Sequence, residues 1–294
     1  MSSSNDSSIN SSINSSINNT VLAQFHSHLR DANIEFFEKG HQYKVIDDTC
    51  YTSVTTFVHS HFPKFNPDMI IKSMMNGKNW GPEHKYWGKS AEEIKASWSS
   101  NGAATAGTNL HYQIECFMNN PDLRLPYNHK ELFDSYSDHV SSMDKIEKEI
   151  EWNYFIQFIK DFPHLKPYRT EWIVYDEDVK IAGSIDMVYE NDDGTLSIYD
   201  WKRSKEISST KNYKKFAYTQ CIKHIPHTNF WHYALQLNIY KTILENKYGK
   251  KVKELYLVRL HPNNTNESYE LIKLPFLEDE MSNLFQEKKE KLSL

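Results

Sequence analysis

The stretch that decides the fold reads Ile181-Ala-Gly-Ser-Ile-Asp186-Met-Val-Tyr-Glu190, then Asn191-Asp-Asp-Gly194, then Thr195-Leu-Ser-Ile-Tyr-Asp200-Trp-Lys202. Two apolar runs around an Asn-Asp-Asp-Gly turn predict a β-hairpin with strands over 181–190 and 195–202. Because side chains alternate between the faces of a strand, Asp200 and Lys202 are expected to point the same way. Pairing about the turn brings Asp186 within about one residue of the position opposite Asp200. Two carboxylates and an ammonium then share one small patch of the sheet.

This patch has the composition of a metal-dependent phosphate-cleaving centre. Two nearby carboxylates repel each other unless a cation lies between them, and aspartate oxygens suit a hard divalent ion such as Mg²⁺ or Mn²⁺. Asp186 and Asp200 are therefore candidate metal ligands, and Lys202 is a candidate for orienting or deprotonating an attacking water and stabilising the transition state. A surface hairpin with a cross-strand ion pair is the alternative, and it explains the Asp-x-Lys part alone.

A third strand over 170–176 extends the patch. Glu171 and Asp186 are equidistant from a tight turn near Asp178-Val179, so they are expected to face each other across a second hairpin. Glu171 then joins the acidic cluster. The alternative is an edge-strand glutamate that faces solvent.

The remaining pattern predicts helices around a mixed sheet. His111 and Glu115, at i and i+4 of a helix that starts at Thr108, share a face that we place opposite the apolar face of Leu110, Ile114 and Phe117. The other expected elements are a hairpin of 41–46 with 50–53, a helix capped by Ser53, helices over 141–160, 229–248 and 277–291, and strands over 253–260 and 268–274. The fold class is α/β or α+β, with a central mixed β-sheet flanked by helices.

Composition bounds the rest of the chain. With 294 residues, of which 39% are hydrophobic, residues 20–294 suit one globular domain. Residues 1–19 are almost wholly Ser, Asn and Ile and are predicted to be disordered. Three scattered cysteines argue against a disulfide framework and against a cysteine-ligated iron–sulfur cluster. No secretion signal, convincing transit peptide or membrane-spanning run is present, which predicts an intracellular, soluble protein of the cytoplasm or nucleus.

The order of the motifs resembles the PD-(D/E)XK nuclease superfamily, and in particular its RecB-like and lambda-exonuclease-like members. Their G-x-x-D followed by D-x-K is matched by Gly183 to Asp186 and by Asp200 to Lys202, and Glu171 matches a further acidic position. Gly107-Thr-Asn-Leu-His111-Tyr-Gln-Ile-Glu115 is similar to their G-T-x-x-H-x-x-x-E helix, and Gln236-Leu-Asn-Ile-Tyr240 to their Q-x-x-x-Y helix. With Ser53-Val-Thr-Thr, the order is closest to the mitochondrial genome maintenance exonuclease type.

The resemblance implies a restriction-endonuclease-like core and a metal-dependent deoxyribonuclease, more an exonuclease than an endonuclease. It implies roles in DNA replication, repair or recombination. The implied metal ligands are Asp186, Asp200, the Trp201 carbonyl, His111 and Glu115, and the implied catalytic set is Asp186, Asp200, Lys202, Glu171 and Glu115. A structure-specific endonuclease and a non-catalytic nucleic-acid-binding module remain open as alternatives.

The local charge favours a nucleic-acid partner, and the resemblance implies that this partner is DNA, single-stranded or with free ends. The net charge of the chain is −5, yet residues 200–224 carry seven Lys or Arg against two acidic residues. A basic, aromatic-rich stretch suits a nucleic-acid strand, although a solvated lysine-rich loop is the alternative. The candidate DNA-binding residues are Gln236, Tyr240, Arg203, Lys205, Lys211, Lys214 and Lys215. Residues 60–106 are predicted to form short helices that act as an arch or lid over the site.

Overall fold

The computed structural model describes residues 20–98, 102–141, 149–210 and 215–294. The predicted disordered tail, residues 1–19, lies outside the described residues. The helices of the described part are α1 (Val21–Phe25), α2 (Val54–Ser60), α3 (Pro67–Met75), α4 (Ala91–Trp98), α5 (Gly102–Met118), α6 (His129–Ser141), α7 (Ile150–Asp161), α8 (Asn229–Lys247) and α9 (Glu278–Leu292). The strands are β1 (Ile34–Phe37), β2 (Gln42–Val45), β3 (Thr52–Ser53), β4 (Lys166–Asp176), β5 (Ile181–Glu190), β6 (Leu196–Lys202), β7 (Val252–Arg259) and β8 (Glu270–Lys273).

Strand β5 is the centre of a six-stranded mixed sheet. It pairs antiparallel with β4 and with β6, and parallel with the short β3. Strand β6 pairs parallel with β7, and β8 closes the other side antiparallel to β7. The mixed sheet and its flanking helices confirm the predicted fold class.

The sheet is covered on both faces, as the alternation along β6 illustrates. Leu196 and Ile198 pack into a core with α2, α8 and α9, whereas Tyr199 and Trp201 pack into a second core with α5, α6 and α7. Burial on both faces explains why the strands are almost continuously apolar. A polar side chain in the middle of such a strand is costly unless it is paired, so Asp200 stands out.

Two partners share one edge of β5 and leave a notch between them. Strand β3 pairs with Ile181 and Ala182, and the ladder with β6 runs from Glu190 only as far as the pair Met187–Tyr199. Strands β5 and β6 therefore diverge at Asp186, where the predicted patch of charged residues lies.

Several boundaries differ from the expectations. The predicted hairpin of 41–46 with 50–53 is wrong, because β2 pairs with the upstream β1 and β3 pairs with β5. Helix α5 begins at Gly102 rather than at Thr108. Of the helix predicted over 141–160, α7 covers the part from Ile150, and residues 142–148 lie outside the described residues. The predicted cap is confirmed, because the Thr56 N–H donates to Ser53 Oγ at 3.1 Å.

The region predicted to form a lid contains short helices, as expected. Helices α3 and α4 contact each other and are joined by an ion pair between Lys95 and Asp68, 2.8 Å apart. Its role as a lid stays a prediction. Among the described residues, no helix is long and apolar enough to cross a membrane.

Candidate active site at the divergence of two strands

Asp186 is held where β5 and β6 separate. Its Oδ2 accepts a hydrogen bond from the Trp201 N–H at 3.0 Å. Beyond the last β5–β6 pair, Met187 with Tyr199, this side-chain carboxylate therefore bonds to the backbone of β6 in place of a carbonyl of β5. The side chain of Trp201 is buried between Phe155 and Phe158 of α7, which fixes this peptide unit. The register expected from the Asn191–Gly194 turn therefore places Asp186 beside β6 at Asp200.

Asp200 and Lys202 form a buried ion pair on one face of β6. Lys202 Nζ lies 2.5 Å from Asp200 Oδ2, and the Asp200 side chain is only 3% exposed. From the facing helix α8, Gln236 Nε2 donates to Asp200 Oδ1 at 3.5 Å. Each oxygen of the buried Asp200 carboxylate is therefore within reach of one side-chain nitrogen, Oδ1 of Gln236 Nε2 and Oδ2 of Lys202 Nζ.

His111 and Glu171 complete a compact ligand cluster with Asp186. One ligand atom from each of the three lies within 4.8 Å of the others. His111 Nδ1 is 3.8 Å from Glu171 Oε1 and 3.6 Å from Asp186 Oδ2, and Ser184 Oγ donates to Glu171 Oε2 at 2.9 Å. The other ring nitrogen of His111, Nε2, lies 3.0 Å from the Trp201 carbonyl oxygen. That carbonyl orients the imidazole, so Nδ1 is the nitrogen that faces the carboxylates.

The electrostatics of the cluster reflect crowded negative charge. Burial, and then the negative charge of Asp186, raise the pKa of Asp200 to about 6. Burial alone would lower the pKa of His111, but Asp186 and Glu171 outweigh it and raise that pKa to about 9. Burial likewise opposes the charge on Lys202, and Asp200 and Asp186 outweigh it, so its pKa is raised. Two cationic side chains thus separate the carboxylates.

The residues present fit a hard divalent ion. The cluster offers carboxylate oxygens from Glu171 and Asp186 together with one imidazole nitrogen. The carboxylate of Asp200 lies outside this cluster but close enough to Asp186 for the two charges to interact. Oxygen-rich sets of this kind suit Mg²⁺ or Mn²⁺ better than thiophilic metals.

Glu115 stands at the edge of the site. It lies one turn after His111 on α5, and burial followed by the negative charge of Glu171 raises its pKa to about 7. The cluster of possible ligand atoms in the described residues does not include it. The predicted arrangement of this helix needs correction, because His111 and Glu115 flank the buried stripe of Leu110 and Ile114 rather than lying opposite it. Residues one position apart on a helix differ by only about 100°.

Gln236 and Tyr240 lie beneath the site. Tyr240 is 4% exposed and packs on Gly183, while Gln236 reaches Asp200. A Cβ atom at Gly183 would lie 2.8 Å from Tyr240 Cε1 and 2.9 Å from Val54 Cγ2. The glycine of the Gly-Ser-Ile-Asp motif therefore allows α8 and α2 to approach the strand that carries Asp186.

The structure describes three of the five basic residues predicted to bind DNA. Arg203 Nε donates to Glu151 Oε1 at 2.7 Å, while Lys205 and Lys215 are exposed. Lys211 and Lys214 lie outside the described residues. The structure therefore places Arg203 in an ion pair and leaves two lysines at the surface after β6.

The sequence analysis missed two residues of the site. Lys202 Nζ lies 4.8 Å from the ring centre of Tyr233, and the Ser184 hydroxyl holds Glu171. Tyr233, Gln236 and Tyr240 are spaced i, i+3 and i+7, which is the spacing of one helix face. That spacing was a usable signal for Tyr233.

Comparisons with known proteins agree with this geometry. A family model of the PD-(D/E)XK nuclease superfamily matches residues 92–293. Solved structures that match include a crystal structure from Eubacterium rectale described as a candidate exonuclease. It is 14% identical, covers 83% of this chain and 79% of its own, and has a TM-score of 0.31. A likeness this distant adds no argument about activity, and no curated protein matches the chain significantly. The family match spans strands β4 to β8, the ligand cluster and the Asp200–Lys202 pair, and the chain belongs to the PD-(D/E)XK nuclease superfamily.

Proposed function

We propose that this nuclease is a divalent-metal-dependent DNA exonuclease that hydrolyses phosphodiester bonds. The observation that carries the proposal is the convergence of His111, Glu171 and Asp186 within 4.8 Å, beside the buried Asp200–Lys202 pair. A purely structural ion pair would need neither the additional carboxylates nor the imidazole. Buried like charges are unfavourable unless cations compensate for them, and a divalent ion would add to the compensation that His111 and Lys202 provide.

The metal would be held by Asp186, Asp200 and Glu171, with Nδ1 of His111 as a nitrogen ligand. When bound, Mg²⁺ or Mn²⁺ supplies a Lewis acid for a phosphate oxygen and lowers the pKa of a bound water. The Trp201 carbonyl keeps the imidazole in one orientation. Glu115, one turn further along α5, adds a carboxyl of raised pKa that can exchange a proton near neutral pH.

Lys202 is the residue that we assign to the charge developed on the phosphate. Its raised pKa keeps it an ammonium, and Asp200 together with the ring of Tyr233 fixes its position. A fixed cation requires no reorganisation during the reaction and is worth more in a buried site than in water. In this proposal, Lys202 orients the attacking water.

The proposed substrate is a DNA strand with a free, single-stranded or frayed end. Lys205 and Lys215, exposed after β6, offer positive charge for phosphates beside the site. The motif order, from Ser53 to Tyr240, favours the exonuclease branch that includes the mitochondrial genome maintenance type. Helices α3 and α4, which precede α5 in the chain, are the proposed lid.

A cleavage assay tests the proposal. Linear single-stranded DNA labelled at either end is incubated with Mg²⁺, with Mn²⁺ or with EDTA, beside a closed circular strand. Metal-dependent loss of the linear strand with the circle intact is expected. Cutting of the circle would identify an endonuclease, whereas binding without cleavage in any divalent metal would identify a non-catalytic binding module.

A further inference from the structure

A cluster of aromatic rings lies one helical turn from the proposed active site. His232 precedes Gln236, which contacts Asp200, by four residues of α8. Four residues correspond to about 6 Å along the helix axis. The cluster therefore lies near the proposed active site, one turn of α8 from the helix residue that contacts Asp200.

The rings of the cluster lie against one another. Phe62 and His232 have ring centres 4.2 Å apart, and His227 stacks on His232 at 4.9 Å with an angle of 13° between the ring planes. His59, from the end of α2, lies 5.3 Å from His232. The nearly parallel planes of His227 and His232 present ring faces to each other, whereas shared ligation of a metal requires the ring nitrogens to converge. This geometry favours stacking over a metal site.

The cluster is anchored inside and open outside. Phe62 is buried, His227 and His232 are half-buried, and His59 is exposed. The backbone N–H of His227 donates to the Lys215 carbonyl at 2.8 Å, so an exposed lysine borders the rings. Tyr218, on the same loop, is 63% exposed. Aromatic faces and a positive charge thus occur together at the surface.

The two central histidines are neutral rings at physiological pH. Burial, followed by the neighbouring His227 and His59, lowers the pKa of His232 to about 4. Burial, and then Lys215 and His59, lower the pKa of His227. Neutral imidazoles offer flat apolar faces, which suit nucleobases better than phosphates.

We infer that His59 and His227, supported from inside by Phe62 and His232, form a platform on which unpaired bases of the substrate stack near the scissile phosphate. The inference rests on the proposed function. Bases within a duplex are already stacked on both faces, so only a single strand or a frayed end can place a base on such a platform. The border of Lys215 would bind the phosphates of the same strand. Such a platform would explain why the proposed nuclease prefers single-stranded or frayed DNA ends.

The experiment combines steady-state cleavage with a stacking signal. The double variant His59→Ala/His227→Ala is compared with wild type on a single-stranded oligonucleotide and on a blunt duplex of the same sequence. Loss of one base stack should raise KM for the single strand by roughly 5- to 150-fold and leave kcat nearly unchanged. A 2-aminopurine near the strand end should be quenched by wild type and not by the double variant.

Two further variants separate stacking from folding. His59→Phe/His227→Phe keeps aromatic faces and should retain single-strand affinity. His224→Ala removes a surface histidine that pairs with Glu280 at 3.0 Å and is not among the rings of the cluster, and it should change nothing. An unchanged KM in the double alanine variant, or an equal loss on the duplex, would overturn the platform while leaving the nuclease proposal intact. A wild-type protein that neither cleaves nor binds DNA would instead overturn the proposed function.

Discussion

Replacing Gly183 by alanine tests how closely the helical layer must approach the strand that carries Asp186. The added Cβ would lie 2.8 Å from Tyr240 Cε1, 2.9 Å from Tyr240 Oη and 2.9 Å from Val54 Cγ2. Carbon atoms pack at about 3.5 Å or more, so the Tyr240 ring would have to retreat by about 0.7 Å. Tyr240 is 4% exposed and Val54 is 1% exposed, so neither side chain has free space into which to move.

The cost is that of overpacking a core, about 1–3 kcal/mol in the free energy of unfolding. An effect on the site follows, because Tyr240 and Gln236 lie one turn apart on α8. The hydrogen bond from Gln236 to Asp200 is already 3.5 Å long, and an outward shift of α8 would break it. Gly183→Ala should therefore lose both stability and cleavage.

Chemical denaturation measures the stability change, and the DNA cleavage assay measures the functional one. Gly107→Ala is the matched control, because its added Cβ meets nothing within 4 Å and it lies inside α5. Alanine in a helix interior is favoured over glycine by up to about 1 kcal/mol, so this variant should be as stable as wild type or more stable. A Gly183→Ala protein with wild-type stability and cleavage would refute the steric reasoning.

Three other predictions concern charge. Lys202→Ala should retain the wild-type circular dichroism spectrum yet lose cleavage by at least about 100-fold, since one fixed transition-state donor is worth that much; a fully active variant would contradict its assigned role. Mg²⁺ at 100 times its Kd should raise the free energy of unfolding by about 2.7 kcal/mol, and Asp186→Asn should abolish that gain in thermal melts. Burial lowers the pKa of His129, which hydrogen-bonds to Tyr189, from 6.5 to about 3. The unfolded chain therefore binds the extra proton below pH 6.5, and about 2 kcal/mol of stability should be lost between pH 7 and pH 5; His129→Asn should show a shallower pH dependence, and an identical one would contradict the reasoning.

The two central hairpins could be predicted because the position of a tight turn determines which residues of the two strands pair. The turn at Asn191–Gly194 and the one near Asp178 both lie where the sequence indicates, and they determine which residues flank Asp186 on either side. These are local contacts, whose geometry follows from the number of residues between strands. The alternation of β6 likewise placed Asp200 and Lys202 on one face.

Long-range pairings gave no such signal. The segment 42–45 could pair with either neighbouring run, and the parallel contact of β3 with β5 joins Thr52 to Ile181 across more than a hundred residues. The ring cluster of the proposed stacking platform is also invisible in the sequence, where His232 reads as an ordinary core or surface histidine. It forms only because α2 packs on α8 and brings His59 to His232.

The backbone conformation of Glu171 could not be predicted by counting residues from the turn. Its ladder neighbours, Thr170 with Met187 and Trp172 with Ile185, are in the expected register, yet Glu171 itself has a φ of +42°. A non-glycine residue in this region costs on the order of 1–2 kcal/mol, and no feature of the sequence announces it. The conformation persists where the Ser184 hydroxyl and the His111 ring hold the carboxylate next to Asp186. Strain at a strand residue that belongs to the ligand cluster is expected of a functional site, because packing alone would favour a relaxed strand.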